Sequence, residues 1–368
     1  MYRKTWMEID LDQVESNIKR IKEISQKKLI MVVKADGYGS GDKYIAEAAV
    51  NAGAEMLAVS SFDEAVILRN EGYQGKLLVL GHVDPSFAFE IKQHDVAVPA
   101  YSLSWVKELI QQDCNGLKVH IKLDTGMNRI GFKKEEELLE AKSLLLEHGC
   151  VLEGVFTHFC CTDTSKEFTQ TQFNRFEELV KKLDYPFEWI HCDNSDATIF
   201  FKDNLSNACR LGISAYGPSP YLSDLKHPIS LYTEAFLVKQ IQPGETVGYG
   251  ATYTAEKEEW IATMPIGYAD GFIRANQGRK VYVNGTYATI VGRVCMDQTM
   301  IRLEEKIEEG SVVELFGSHI SLESMAEDLH TIPYEILCLV GARVTRVYKR
   351  GNQVIAESNL RLDHSKEA

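Results

Sequence analysis

The sequence lacks several features that would set it apart from ordinary soluble enzymes. No apolar run approaches the roughly 18 to 20 residues that cross a bilayer, and the N-terminal stretch MYRKTWMEID has no signal-peptide core. Repeats, low-complexity stretches and flexible linkers are missing as well. A hydrophobic content of 45% with 25% charged residues is normal for a soluble enzyme. We therefore expect a cytoplasmic protein with no membrane partner.

Positive charge and paired cysteines are also scarce. The formal net charge is −13, which argues against a nucleic-acid partner because binding a phosphate backbone requires clustered positive charge. None of the eight cysteines lies in a CxxC spacing, and the adjacent Cys160 and Cys161 suit neither a zinc site nor an easy disulfide. We expect reduced thiols and no metal.

The first two thirds of the chain alternate strand-like and helix-like segments. The strand candidates are short, β-branched apolar runs bounded by turn residues, and apolar residues recur at helical spacing between them. This alternation predicts parallel strands, and eight units are the number that closes a (β/α)8 TIM barrel. A doubly wound open sheet is the alternative. The eight candidates are Leu29–Asp36, Met56–Phe62, Lys76–Val83, Val96–Ser102, Val119–Gly126, Leu152–Phe159, Phe187–Ser195 and Ala208–Gly217.

After about Leu231 the pattern changes to strand-like runs joined by turns. These runs include KVYVNG, SVVELFG and the closing VTRVYKRGNQVIAE, and one short helix, LESMAEDL, interrupts them. The pattern indicates a mostly antiparallel β domain, either a small barrel or a sandwich. We therefore predict an α/β chain of two domains, a TIM barrel over residues 1–230 and a C-terminal β domain over residues 231–368.

In a (β/α)8 barrel the functional residues lie at the C-terminal ends of the strands. Within the first candidate segment the apolar strand ends in Lys34, and a lysine there either reaches solvent or forms a Schiff base in a partly desolvated pocket. The loops after strands seven and eight often bind phosphate, and Ser195 and Gly212 suit that role. An amine and a phosphate cradle together indicate a phosphorylated aldehyde, bound by either a Schiff-base aldolase or a pyridoxal phosphate enzyme.

Arg210, in the eighth strand candidate, separates these two classes. A carboxylate at the pyridine nitrogen of pyridoxal phosphate keeps that nitrogen protonated and makes the ring a strong electron sink. An arginine is always charged and would leave the nitrogen unprotonated. The weaker sink suits a reaction that only removes and returns one proton.

Eight ordered segments make essentially the whole chain resemble the alanine racemase family of fold-type III pyridoxal phosphate (PLP) enzymes. The segments are VVKADGYGSG, IKLDTGMNRIGF, THF, HCDNS, RLGISAYG, VGYGATYTA, IGYADGF and GRVCMDQTM. The resemblance implies a homodimeric racemase that interconverts L- and D-alanine and supplies D-alanine for peptidoglycan. It also implies two catalytic bases on opposite faces of the substrate Cα, Lys34 and Tyr249, with the tyrosine coming from the partner subunit.

The resemblance assigns further roles. Arg129 would contact the cofactor's phenolic oxygen and the substrate carboxylate, and Lys122 would be the lysine that is often carbamylated to fix that arginine. Met296 and Asp297 of the partner subunit would meet the same carboxylate, and His191 would buttress Arg210. The cofactor-binding residues would be Lys34, Tyr38, His158, Asn194, Ser195, Arg210, Gly212 and Ile213. The substrate access path would be lined by Tyr268 and Arg274.

The chain departs from the family pattern in several places. The lysine loop reads KADGYGSG where KANAYGHG is more usual, and HCDNSDA carries Asp193 and Asp196 where small residues are common. Ala342 aligns with a tyrosine of several relatives, which leaves room beside the substrate side chain. A serine or broad-specificity amino acid racemase is therefore the alternative. A PLP carrier would lack the β domain and Tyr249, and a decarboxylase would be expected to carry an acid in place of Arg210.

Overall fold

The computed structural model describes residues 1–217, 219 and 221–363. The strands are β1 Thr5–Asp10, β2 Lys28–Val32, β3 Met56–Val59, β4 Lys76–Val79, β5 Val96–Ala100, β6 Lys118–Lys122, β7 Val151–Phe156, β8 Trp189–His191, β9 Ala208–Leu211, β10 Ile229–Glu234, β11 Leu237–Ile241, β12 Thr246–Val247, β13 Tyr253–Thr254, β14 Glu259–Met264, β15 Lys280–Val283, β16 Thr286–Ile290, β17 Thr299–Leu303, β18 Val312–Phe316, β19 Thr345–Arg350 and β20 Gln353–Ser358.

The helices are α1 Leu11–Ser25, α2 Lys34–Gly39, α3 Asp42–Asn51, α4 Phe62–Asn70, α5 Ala88–Gln93, α6 Leu103–Leu109, α7 Glu135–Glu147, α8 Lys166–Leu183, α9 Ser195–Phe200, α10 Ile213–Tyr216, α11 Leu322–Asp328, α12 Pro333–Leu339 and α13 Leu360–Asp363. Short 3-10 turns occur at Pro85–Phe87, Tyr249–Ala251, Tyr268–Asp270 and Arg274–Asn276. Within the ranges given above, none of the helices is long and apolar enough to span a membrane.

By their internal contacts the residues divide into two compact units. The barrel unit comprises Val14–Gly37 and Asp42–Lys226. The sheet unit comprises Met1–Gln13, Tyr38–Gly41 and the described part of His227–Ala368. The domain roles predicted from the sequence, cofactor binding by residues 1–230 and supply of a second base by residues 231–368, stay predictions.

Strands β2 to β9 form the barrel unit's sheet. Each strand pairs in parallel with its neighbour, and β2 also pairs with β9, so the sheet closes. The predicted eight-stranded barrel is confirmed, and the open-sheet alternative is wrong. All five residues of β5 are buried, as expected where helices cover the outside of a parallel sheet. Helix α4 shows how sequence starts a crossover: Ser61 and Glu64 form a capping box directly after β3.

The sheet unit contains one ten-stranded sheet in the order β11-β14-β17-β16-β15-β18-β10-β1-β19-β20. Its pairings are antiparallel except for β1 with β19, which run parallel. A separate two-stranded ribbon joins β12 and β13. The predicted mostly antiparallel C-terminal region is therefore confirmed, with the N-terminal strand β1 added to its sheet.

The chain adopts an unusual backbone conformation after β2. Five consecutive residues have positive φ angles, 54°, 54°, 57°, 56° and 76° for Ala35, Asp36, Gly37, Tyr38 and Gly39. The left-handed region disfavours residues with a side chain by about 1–2 kcal/mol each, so glycine at two of these positions lowers the strain. Gly39 is also required for space, because a Cβ there would lie 2.5 Å from the carbonyl oxygen of Leu337.

Candidate active site

Lys34 lies two residues beyond the end of β2, at the start of this left-handed turn. Its side chain is half-buried, and its Nζ atom makes no hydrogen bond or ion pair with any described residue. The carboxylate of Glu64 holds the turn in place, since it accepts from the backbone N–H of Ala35 at 2.7 Å and from that of Ser60 at 2.6 Å. The amine of Lys34 is therefore available to a ligand at a braced position.

Arg210, on β9, is only 4% exposed and is surrounded by acceptors. Nη1 donates to the ring Nδ1 of His191 at 2.8 Å and to its carbonyl oxygen at 3.0 Å. Nη2 donates to the carbonyl oxygens of Thr157 and Cys192 and to Nδ1 of His158. Within the described part of the chain these bonds use both terminal nitrogens and leave Nε–H for another acceptor. An arginine only donates, so Nε–H suits an unprotonated ring nitrogen.

His158, just after β7, lies in a cluster of positive charge. Desolvation lowers the pKa of its imidazole well below the usual value, and four cations lower it further, in decreasing order Arg210, Arg129, Lys122 and Lys34. A site lined by this many cations favours an anionic ligand. A phosphorylated cofactor and an amino acid carboxylate both meet that requirement.

Lys122, the last residue of β6, is buried with 3% of its surface exposed. Its Nζ atom donates to the carbonyl oxygen of Leu123 at 2.7 Å. Burial, followed by the charge of Arg210, lowers the pKa of the Lys122 amine to about 7. Near neutral pH the amine is therefore present in both its charged form and its neutral, nucleophilic form. Arg129 is exposed and forms no hydrogen bond or ion pair with the described residues.

The loops that follow β8 and β9 are joined by a direct hydrogen bond. The backbone N–H of Gly212 donates to Oγ of Ser195, the first residue of α9, at 2.9 Å. Asn194 is the N-cap of α9, and its amide donates to Oγ1 of Thr162 at 2.9 Å, which fixes the loop. Ser214 in α10 has a buried Oγ without a hydrogen-bond partner among the described residues. An unpaired buried hydroxyl between fixed loops is compatible with an anionic group bound there. Ile213 is the first residue of α10.

The predicted partner-facing residues belong to the sheet unit. Tyr249 is 70% exposed on a 3-10 turn between Gly248 and Gly250, whose φ angles are 73° and 75°. Met296 is 53% exposed, and it lines one groove together with Tyr249 and Asp297. The three side chains that the sequence assigned to a partner's active site thus lie on one face of the sheet unit.

Three other predicted residues of the sheet unit differ in their environments. Tyr268 and Arg274 are exposed, each on its own 3-10 turn. Tyr38 is buried, and its ring centroid lies 6.0 Å from that of Tyr334. Burial raises the pKa of the Tyr38 phenol well above its usual value, so the hydroxyl stays protonated and can donate to an anion.

Asp193, one of the departures noted in the sequence, is buried and paired. Lys27 Nζ lies 2.7 Å from an oxygen of Asp193 and 2.6 Å from an oxygen of Asp203. Cys192 brings its sulfur close to these carboxylates, so the cluster offers ligand atoms of the kind that bind metals. The ammonium group of Lys27 lies against both carboxylates, and Asp193 is therefore a structural ion-pair partner beside Asn194 and Ser195.

The chain matches known proteins along nearly its whole length. Residues 9–220 match the family described as "Alanine racemase, N-terminal domain", and residues 229–348 match "Alanine racemase, C-terminal domain". The chain belongs to the alanine racemase family. It is 40% identical to an alanine racemase of Halalkalibacterium halodurans over 97% of this chain and 98% of that one. It is equally similar, 40%, to alanine racemase 1 of Bacillus subtilis, over 97% of this chain and 96% of that one.

A solved structure extends the family assignment to three dimensions. The alanine racemase of Bacillus anthracis with bound L-Ala-P superposes with a TM-score of 0.95 at 38% identity, covering 99% of both chains. The barrel and the antiparallel sheet are therefore those of the family, and a small amino acid is its substrate class.

Sequence reasoning missed the residues that hold the predicted site residues in place. The side chain of Glu64 braces the lysine turn, the side chain of Thr162 anchors Asn194, and the backbone carbonyl oxygen of Thr157 accepts from Arg210. These residues are of types that occur throughout surface and core. Only Thr157 carried a sequence signal, because it is the first residue of the segment THF and directly precedes His158.

Proposed function

We propose that the chain is a PLP-dependent racemase that interconverts L- and D-alanine and so supplies D-alanine for peptidoglycan. The observation that carries the proposal is Arg210, buried in a cationic barrel mouth with only Nε–H left for the cofactor's ring nitrogen. When bound, PLP supplies an electron sink that acidifies the Cα–H of an attached amino acid. An arginine at the ring nitrogen would leave that nitrogen unprotonated, so the ring would withdraw electrons more weakly. The weaker withdrawal suits a reaction that only removes and returns one proton.

Different residues of the chain would bind PLP, orient the substrate and transfer the proton. Lys34 would hold the cofactor aldehyde through its amine and act as the base on one face of Cα. Arg129 would orient the phenolic oxygen and the substrate carboxylate. The phosphate would be bound by Tyr38, Asn194, Ser195, Gly212 and Ile213, and His158 would pack beside the ring. Removal of a proton on one face and delivery on the other inverts Cα, so a second base is required.

Tyr249 of the partner subunit is the proposed second base, with Met296 and Asp297 beside it and Tyr268 and Arg274 on the access path. The exposure of Tyr249 supports this role, because a base used within its own chain would be shielded from solvent. The same groove includes Phe236 and Leu237, which are 45% and 39% exposed. Exposed apolar residues of this kind favour burial against a second copy, and so a homodimer.

The proposed activity is tested by circular dichroism. Purified protein with PLP is incubated with L-alanine and with L-serine in separate cuvettes, and the signal of each amino acid should decay to zero as the racemate forms. We expect decay with L-alanine at the higher rate. Persistence of both signals would show that the chain does not racemise either amino acid.

A carbamate on Lys122 is the first structural prediction of this proposal. The neutral amine would attack the carbon of CO2, so that an N–C bond forms while one C=O π bond opens and leaves its electron pair on oxygen. One N–H proton is lost to solvent, and the resulting carbamate anion could pair with Arg129. Holoenzyme in ¹³C-bicarbonate is expected to show a carbamate resonance that grows as pH rises through about 7, where the ammonium form gives way to the amine. The resonance should vanish in Lys122→Met and persist in Lys118→Met, which removes a half-buried lysine of the same strand. A signal unaffected by Lys122→Met would exclude this site.

Ala342 gives a prediction about substrate choice. The residue is exposed. A methyl group there would leave open a subsite that the tyrosine of several relatives would fill. Ala342→Tyr is expected to lower the ratio of serine to alanine turnover by about tenfold, since one filled subsite changes discrimination by that order. The kcat/KM values for both amino acids are the measurement. Equal ratios in the wild-type enzyme and the variant would show that this position does not set the pocket size.

A further inference from the structure

A chain of buried polar side chains runs from Arg210 through the interior of the barrel unit. Arg210 Nη1 lies 2.8 Å from His191 Nδ1, and His191 Nε2 lies 3.0 Å from His120 Nδ1. His120 Nε2 lies 3.1 Å from Glu153 Oε2, and the other oxygen of Glu153 accepts from Lys76 Nζ. The first four residues are nearly inaccessible to solvent, at 4%, 0%, 0% and 6% exposure in that order. Lys76 is the end of the chain that reaches solvent.

Hydrogen-bond polarity allows one arrangement of protons along this chain. An arginine N–H only donates, so Nδ1 of His191 must be the acceptor and Nε2 of the neutral ring must carry the proton. That proton is donated to Nδ1 of His120, which leaves the His120 proton on Nε2, directed at Glu153. Every bond then has one donor and one acceptor, ending on a carboxylate.

The charges of the groups agree with this arrangement. Desolvation, and then the charge of Arg210, lowers the pKa of His191 well below its usual value. Burial also lowers the pKa of His120, and this effect outweighs the opposing effect of Glu153. Burial alone would raise the pKa of Glu153, but hydrogen bonds from His120 and Lys76 lower it to about 2. Both imidazoles are therefore neutral at physiological pH, and Glu153 is ionised.

We propose that His120 and Glu153 are positioning residues, which fix His191 as the Nε2–H tautomer and thereby fix Arg210 toward the cofactor's ring nitrogen. The assignment of Arg210 to that nitrogen rests on the proposed function, whereas the tautomer does not. Without His120 and Glu153, His191 could carry its proton on Nδ1. Its Nδ1–H and the N–H of Arg210 would then be two donors facing each other with no acceptor between them. The plane of the His191 ring is set by stacking on Phe156, since the two ring centroids lie 4.9 Å apart and the angle between the ring planes is 2°. The carboxylate thus selects the tautomer and the aromatic ring selects the orientation.

Nitrogen NMR of the holoenzyme with ¹⁵N-labelled histidine tests the tautomer directly. His191 is assigned by the loss of its signals in His191→Asn, and its Nδ1 is expected at the shift of an unprotonated nitrogen and its Nε2 at that of a protonated one. In Glu153→Gln, which keeps the size but removes the charge, and in His120→Asn, His191 should show both tautomers. The absorption maximum of the bound cofactor should shift, and kcat should fall about tenfold with little change in KM, as for an outer group that orients a ligand-binding side chain.

Glu188→Gln is the matched control. Glu188 contacts Lys76 from the exposed side, whereas the ring nitrogens of His120 bond to His191 and Glu153, so the loss of Glu188 should leave the His191 signals, the cofactor spectrum and kcat unchanged. A protonated Nδ1 of His191 in the wild-type enzyme would overturn the proposal. So would unaltered His191 signals in Glu153→Gln, a result that stands even if His120→Asn does not fold. A wild-type enzyme that fails to racemise alanine would refute the proposed function instead, because the tautomer is read without turnover.

Discussion

Replacing Lys34 with alanine is expected to abolish alanine racemisation, with kcat falling by about 10³-fold or more. The loss would combine the two roles proposed for Lys34, the covalent attachment of the cofactor and the base on one face of Cα. Both proposals are supported by the environment of Lys34, since the residue is half-buried, its amine is unpaired with any described side chain, and Glu64 braces the turn that carries it. The measurements are racemisation by circular dichroism and the absorption band of cofactor bound through a lysine.

The control is Lys43→Ala, which removes an exposed lysine from the helix that follows the turn. This variant should keep the absorption band and a kcat within about twofold of wild type, since surface substitutions seldom matter far from a site. Thermal unfolding of Lys34→Ala should match that of the wild-type apoprotein. Retention of the lysine-bound absorption band in Lys34→Ala would show that another amine attaches the cofactor.

The barrel could be predicted because strands that are consecutive in the sequence are also neighbours in the sheet. Each strand is a short apolar run followed by an amphipathic helix, and parallel pairing of consecutive units is the rule for such a chain. The sheet unit was harder, because the pairing is non-local: Thr5 of β1 lies opposite Thr233, and Trp6 lies opposite Thr345. The six residues of β1 alone gave no reason to expect an interior position in a sheet of ten strands.

The residues at the strand ends were the part of the candidate site that the sequence could predict. Lys34 and Arg210 could be singled out because a TIM barrel gathers its functional residues at one end of its strands. The left-handed turn could not be predicted, since Ala35, Asp36 and Tyr38 rarely adopt positive φ and only surrounding contacts stabilise it. Side chains such as Glu153, within β7, likewise carry no local signal, because a buried carboxylate becomes intelligible only once its partners on other strands are known.

Replacing Tyr249 with phenylalanine is expected to lower racemisation by about 10²- to 10⁴-fold, the range for loss of a general base. If Lys34 is the base on the other face of Cα, as proposed, deuterium from heavy water should enter one enantiomer of alanine with retention while inversion nearly stops. The measurements are the enantiomeric ratio and the deuterium content of each enantiomer. Tyr253→Phe is the matched control, since Tyr253 lies four residues along the chain in the same unit and its hydroxyl donates to Glu259. The Tyr253→Phe enzyme should racemise alanine normally.

Mixing the two inactive variants decides where the second base comes from. When Lys34→Ala and Tyr249→Phe chains are co-expressed in equal amounts, half of the dimers are hybrids. If Tyr249 acts in the partner's site, one of the two sites in each hybrid contains both bases, and activity should return to about a quarter of the wild-type value. If each chain used its own tyrosine, every site would lack one base and activity would stay at the level of the parents. The exposure of Tyr249, at 70%, favours recovery, because an exposed tyrosine is accessible to a second copy of the chain.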